Sequence, residues 1–130
     1  MDEVQEGHSP ALDIEEEETV ISHIVLFRPK ASLTAEERSQ LVAALRGAVE
    51  GIPQIQRATV GKRVLLNRPG YETQMAEHFE YSAILEFDSE ADLRAYLDHP
   101  AHDGLGKLLF TSAEAVLAYD FTSTPIDELR

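Results

Sequence analysis

Cysteine is absent from all 130 residues. That excludes disulfides, thiolate metal sites and a cysteine nucleophile together. Basic charge is scarce: eleven Lys and Arg stand against twenty-four Asp and Glu, a formal charge of −13. Such a chain repels phosphate backbones and shows no basic stripe, so no nucleic-acid partner is expected. No apolar run approaches the roughly 20 residues that span a bilayer, and no membrane contact is expected. The N-terminus is acidic rather than basic-then-apolar, unlike a secretory leader, and the expected compartment is the cytoplasm. Gly104-Leu-Gly106 lacks the third glycine and the preceding strand of a phosphate-binding turn. Ser and Asp occur without a nucleophile elbow, so a hydrolase triad has no support.

What remains is enough for one domain with a real core, since 43% of the residues are hydrophobic. The acids are unevenly spread. Residues 1–19 hold eight of them, including Glu15–Glu18, and no Lys or Arg. This stretch has too little apolar material to offset its ordering entropy and reads as a flexible tail. The other 111 residues carry sixteen acids and eleven bases, a net of only −5.

Order is expected from Val20. Val20–Phe27 reads as a first strand, ended by Arg28-Pro29, with apolar residues on both faces. Thr34-Ala-Glu-Glu37 is a capping box. It opens a helix whose Leu41, Ala44, Leu45, Ala48 and Ile52 recur at helical spacing and which Gly51 and Pro53 stop. Ile55–Leu66 reads as a second strand in which Gly61 marks a bulge. Asn67-Arg-Pro-Gly70 opens a loop running to His78, long for a hairpin. Phe79–Phe87 alternates as a third strand. Asp88-Ser89 caps a second helix that halts at His99-Pro100, and Pro100 can start a new one. Ala115–Phe121 is a fourth strand.

The order is β-α-β-β-α-β, an α+β, ferredoxin-like pattern with its second helix broken in two. Helices on one face leave the other face of the sheet bare. Neither side of the first and fourth strands is polar enough to stay wet, so two copies are expected to pack sheet to sheet as a homodimer.

Five histidines occur. His8 and His78 fall in tail and loop and read as solvated. His23 is a polar ring between Ile21 and Val25; it is either a core histidine with hydrogen-bonded nitrogens or a side chain aimed into a ligand cavity. In Tyr96-Leu-Asp-His-Pro-Ala-His102, the three-residue spacing of His99 and His102 resembles metal spacing. No third ligand stands near and Pro100 interrupts the helix, so no metal site is assigned. His99 reads as structural, its ring bonding a carbonyl where a helix ends. Arg57, Lys62, Arg63 and Arg68 give the second strand and its loop a positive cast that could steer an acidic substrate; as ordinary solvated charges they need no such role.

Three segments resemble the stress-responsive dimeric α/β-barrel family: Ser22–Arg28, Phe87–His102 and Val116–Phe121. The resemblance covers residues 20–123, with Tyr-x-x-His-Pro-Ala-His as its specific part, and leaves 124–130 as a C-terminal extension. It implies a ferredoxin-like protomer whose two copies form one barrel. The plant polyketide cyclases similar to this domain imply roles for three residues: His102 as acid/base, Tyr96 as its helper, and His23 in the same cavity. No cofactor is implied. Tyr81 stands where many members carry a histidine, and the 67–78 loop is longer than the cyclase's. Three readings follow. One is a cofactor-independent enzyme moving protons on a carbonyl or polyketide-like substrate. Another is a non-catalytic stress or ligand-binding homodimer. The third is a haem-using relative with His23 or His102 as axial ligand.

Overall fold

Residues 19–129 are described by the structure, a computed structural model. Four strands, β1 (Ile21–Pro29), β2 (Arg57–Lys62), β3 (Tyr81–Phe87) and β4 (Ala113–Thr122), form one sheet in the order β2-β3-β1-β4. All its pairings are antiparallel. Three helices, α1 (Ala35–Gly51), α2 (Glu90–Asp98) and α3 (Pro100–Ser112), complete the expected β-α-β-β-α-β order.

Local chemistry sets the helix starts. Thr34 Oγ1 accepts the Glu37 N–H at 3.1 Å, and Glu37 accepts the Thr34 N–H at 2.8 Å, closing the capping box. Ser89 caps α2 by accepting from the Asp92 N–H. His99 caps α3: its Nδ1 accepts the Ala101 N–H at 3.0 Å, with Pro100 in the first turn. The ring therefore begins a helix instead of bonding a carbonyl at the end of one. Proline explains why, since it ends α2 and frees the next amides for a side-chain acceptor.

Strand ends differ from expectation. β1 continues through Arg28 and Pro29, which pair with Ala115 and Ala113 across a register shift that suits a residue without an N–H. β2 ends at Lys62, not Leu66, because β3 starts only at Tyr81. Val64, Leu65 and Leu66 lie exposed beyond the ladder. Gly61 makes no bulge; it pairs in register with Ser82. A Cβ there would meet Ser82 Oγ at 3.2 Å, so the glycine serves a close approach. The connection that follows is folded on itself. Asn67 and Gly70 take positive φ, Glu72–Gln74 forms a 3₁₀ turn, and Glu72 accepts from the Leu66 N–H. Arg28 ties this connection to β1 by donating to the Glu77 carboxylate and the His78 carbonyl. The expected flexible tail falls almost wholly on residues outside those described. In the expected C-terminal extension, Ile126–Leu129 makes a further 3₁₀ turn.

The core lies between the helices and the sheet face carrying Ile21, Leu85 and Phe87, joined by Ala48, Ile52, Leu93, Tyr96 and Leu105. Ile24, Leu26, Ile84, Leu117 and Tyr119 pair across strands on the opposite face. Among the described residues no helix covers that face, and Leu117, Tyr119 and Phe121 are exposed on it. Among the described residues no helix is long and apolar enough to cross a membrane.

Candidate active site

The apolar residues at helical spacing on α1 divide between core and cavity wall. Ala48 and Ile52 of α1 are buried, but Leu41, Val42 and Leu45 wall a cavity of about 930 Å³ beneath the sheet. That volume is in the range of small-molecule sites. His23, Leu85, Tyr96 and Leu105 are buried at its inner end, while Val42, Val60 and Phe110 are exposed at its rim. Tyr81, the departure noted at the sequence level, lines the wall beside Phe27, with ring centres 6.5 Å apart.

All three residues implied by the resemblance meet here. β1 places His23 opposite Asp120 of β4, and His23 Nδ1 lies 2.6 Å from Asp120 Oδ1. A carboxylate only accepts, so Nδ1 carries the donated hydrogen. His23 is thus both things the sequence allowed: a buried histidine with a satisfied nitrogen, and a wall of the cavity.

Tyr96 comes from α2 and is 2% exposed. Its ring meets His102 edge-on at 4.7 Å and His23 edge-on at 5.5 Å between centres, and it tilts against Phe87 at 5.2 Å. Burial pushes its hydroxyl up to about 12, and the Asp120 charge adds to the effect. The phenol therefore holds its proton at neutral pH and is a donor.

His102 stands in the first turn of α3. Its Nδ1 is buried and has no hydrogen-bond partner among the described residues. Burial lowers its pKa below the usual imidazole value, and His23 pushes the same way; the Leu97 carbonyl and Asp103 oppose them. The ring is neutral at pH 7, with an unengaged nitrogen. His102 and His23 are joined through the Tyr96 ring.

Asp120 was not singled out by the sequence. Its signal was present, a lone acid inside the apolar run Ala115–Phe121, but only strand register shows that it faces His23. His99 and His102 do not converge, since the His99 ring is spent on its cap. Among the described residues no three His, Asp or Glu side chains cluster as metal ligands would. His78 is exposed, as expected, and its Nδ1 lies 2.7 Å from Arg63 Nη1.

The model of the stress-responsive A/B barrel domain matches residues 21–123. The chain belongs to that family. Olivetolic acid cyclase of Cannabis sativa is 26% identical to this family member over 104 residues, which cover 78% of this chain and 95% of the cyclase. Among solved structures, a dimeric ferredoxin-like protein of Thermobifida fusca matches with a TM-score of 0.64 at 24% identity, covering 82% of this chain and 93% of that one. Hydroxynitrile lyase of Passiflora edulis matches with a TM-score of 0.69 at 19% identity, covering 81% and 94%. At these identities the two structures attest the ferredoxin-like fold of this family member and no more.

Proposed function

We propose that this barrel-domain protein is a homodimeric, cofactor-independent enzyme that moves protons on a small carbonyl compound of polyketide type. One observation carries the reading: the Tyr96 ring lies between His23 and His102, and among the described residues the buried His102 Nδ1 has no partner. A buried, unpartnered nitrogen costs free energy unless a ligand engages it.

The chemistry follows from the protonation states. Neutral His102 accepts the acidic C–H proton between two carbonyls of the substrate. The electron pair moves onto the carbonyl oxygen, and the Tyr96 O–H stabilises the enolate that forms. In ring closure the enolate carbon bonds a second carbonyl carbon, whose oxygen becomes an alkoxide. The His102 imidazolium then returns its proton to that oxygen. His23, held by Asp120, orients the substrate from the opposite side.

The homodimer rests on the bare apolar face carrying Leu117, Tyr119 and Phe121 and on the dimeric state of the Thermobifida relative.

The test is turnover of a panel of linear poly-β-ketones by the parent and by His102→Gln. The variant is expected to lose roughly 10²- to 10⁴-fold in rate, the usual contribution of a positioned acid/base. An unchanged rate in His102→Gln would remove the assigned role. Tight binding across the panel with no turnover in the parent would leave the non-catalytic ligand-binding homodimer as the function.

A further inference from the structure

Most of the cavity wall is apolar, and its charged and titratable lining groups are His23, Tyr81, Tyr96, His102, Arg38 and Lys62. His23, Tyr96 and His102 occupy the buried end. Two exposed cations line the cavity elsewhere: Arg38 from the start of α1 and Lys62 from the last position of β2. With twenty-four acids against eleven bases in the chain, a surface cation readily finds a carboxylate. Among the described residues, these two form no ion pair.

The local sequence keeps them free. Arg38 has Ala35, Thr34, Leu41 and Val42 at the helical spacings where a partner would sit. Its acidic neighbour Glu37 is turned back onto the Thr34 N–H. Lys62 pairs across the ladder with Tyr81, and its neighbours on that face are Val60 and Ala83. Of the four bases noted on the second strand and its loop, Lys62 alone lines the cavity. Arg57 is paired in register with Glu86, which puts it on the opposite face, and Arg63 lies against His78.

We infer that Arg38 and Lys62 anchor an anionic end of the ligand. The substrate class is then an amphipathic acid: an apolar body along Leu41, Leu45 and Leu109, a carbonyl at the buried end, and a carboxylate at the exposed cations. A guanidinium and an ammonium suit a carboxylate through charge-assisted hydrogen bonds. The inference rests on the cavity being the ligand site of the proposed function, but it does not require that the ligand react.

Decanoate and decanol are the probes, titrated calorimetrically into the full-length protein at low salt. Decanoate is expected to bind roughly three- to tenfold more tightly, the effect of two exposed charge contacts. The preference shrinks as salt rises. It disappears in the Arg38→Gln/Lys62→Gln double variant, whose decanol affinity stays that of the parent. His102→Gln retains it, which separates this result from any failure of catalysis. Equal affinities in the parent, or a preference surviving in the double variant, overturn the inference while leaving the proposed function standing. Binding of neither probe overturns the inference, while the proposed function stands or falls on the poly-β-ketone panel.

Discussion

His23 and Asp120 are 97 residues apart in the chain, yet adjacent strands bring Nδ1 and Oδ1 to 2.6 Å. The same carboxylate raises the Tyr96 hydroxyl, so one exposed-edge acid acts on two cavity residues. In Asp120→Asn the amide oxygen still accepts from His23, but as a neutral partner. The side chain is 42% exposed, so the stability lost is about 1 kcal/mol or less. The clearer readout is Tyr96, isolated in a spectroscopic titration as the difference from Tyr96→Phe. Its pKa falls from about 12 but stays above 10, because burial, the larger cause, is unchanged. A Tyr96 titration that does not move in Asp120→Asn would contradict the electrostatic link.

His102 makes stability pH-dependent with a definite sign. Its pKa in the folded protein is lowered, chiefly by burial. The unfolded chain therefore binds more protons than the folded one between the folded pKa and about 6.5. Stability is complete above that window, declines as pH falls through it, and levels off below the folded pKa. Thermal melts of the parent and His102→Gln should diverge in slope across the window, with the flatter profile in the variant. Parallel profiles would show that His102 titrates alike in both states.

Tyr96 separates packing from chemistry. Tyr96→Phe keeps the ring that Phe87, His23 and His102 contact, and removes only the hydroxyl. Its midpoint of unfolding should shift by less than about 1 kcal/mol equivalent, while turnover drops roughly 10²-fold with the loss of one oxyanion donor. Tyr96→Ala leaves a cavity at a buried site and should cost about 3–5 kcal/mol. A Phe variant with full activity would make Tyr96 a packing residue alone.

These residues also show what a sequence can and cannot disclose. The capping box at Thr34, the cap at Ser89 and the break at Pro100 are local, so short patterns read them correctly. The limits of β2 depend on where Tyr81 starts its partner strand, a non-local fact, and Val64–Leu66 look equally strand-like without one. Leu41 and Leu45 carry the spacing of core residues, yet periodicity reports which face turns inward, not whether the space inside is filled. Tyr96 and His102 were visible as a motif, but the neutrality of His102 and its empty Nδ1 come from burial. Asp120 needed the β1–β4 register.

Helix α2 is nine residues long and carries Tyr96, so its N-cap bears on the site. Ser89 accepts the Asp92 N–H at 3.1 Å. Ser89→Ala should cost about 1 kcal/mol. It should also lower turnover without changing the pH at which His102 titrates, because α3 keeps its own cap from His99. A circular-dichroism melt and an NMR titration of His102 check the two halves. A shifted His102 titration would mean that the helices move as one piece.

Tyr119 sits at the centre of the bare sheet face. It pairs with Ile24, which in turn pairs with Ile84, while Leu117 pairs with Leu26 one step along. Tyr119 is 59% exposed and Phe121 55%, an apolar surface that no other described residues of the protomer cover. In a two-fold dimer the same patch meets itself, so a single substitution acts twice. Tyr119→Lys would bring two ammonium groups into a desolvated interface, beside the apolar cross-strand neighbour Ile24. The parent should sediment as a dimer at micromolar concentration and Tyr119→Lys as a monomer with lower thermal stability. Core residues on the helix side are untouched, so the variant keeps its secondary structure. A monomeric parent would show that this face is covered by something other than a second copy, and a dimeric variant would place the interface elsewhere on the molecule.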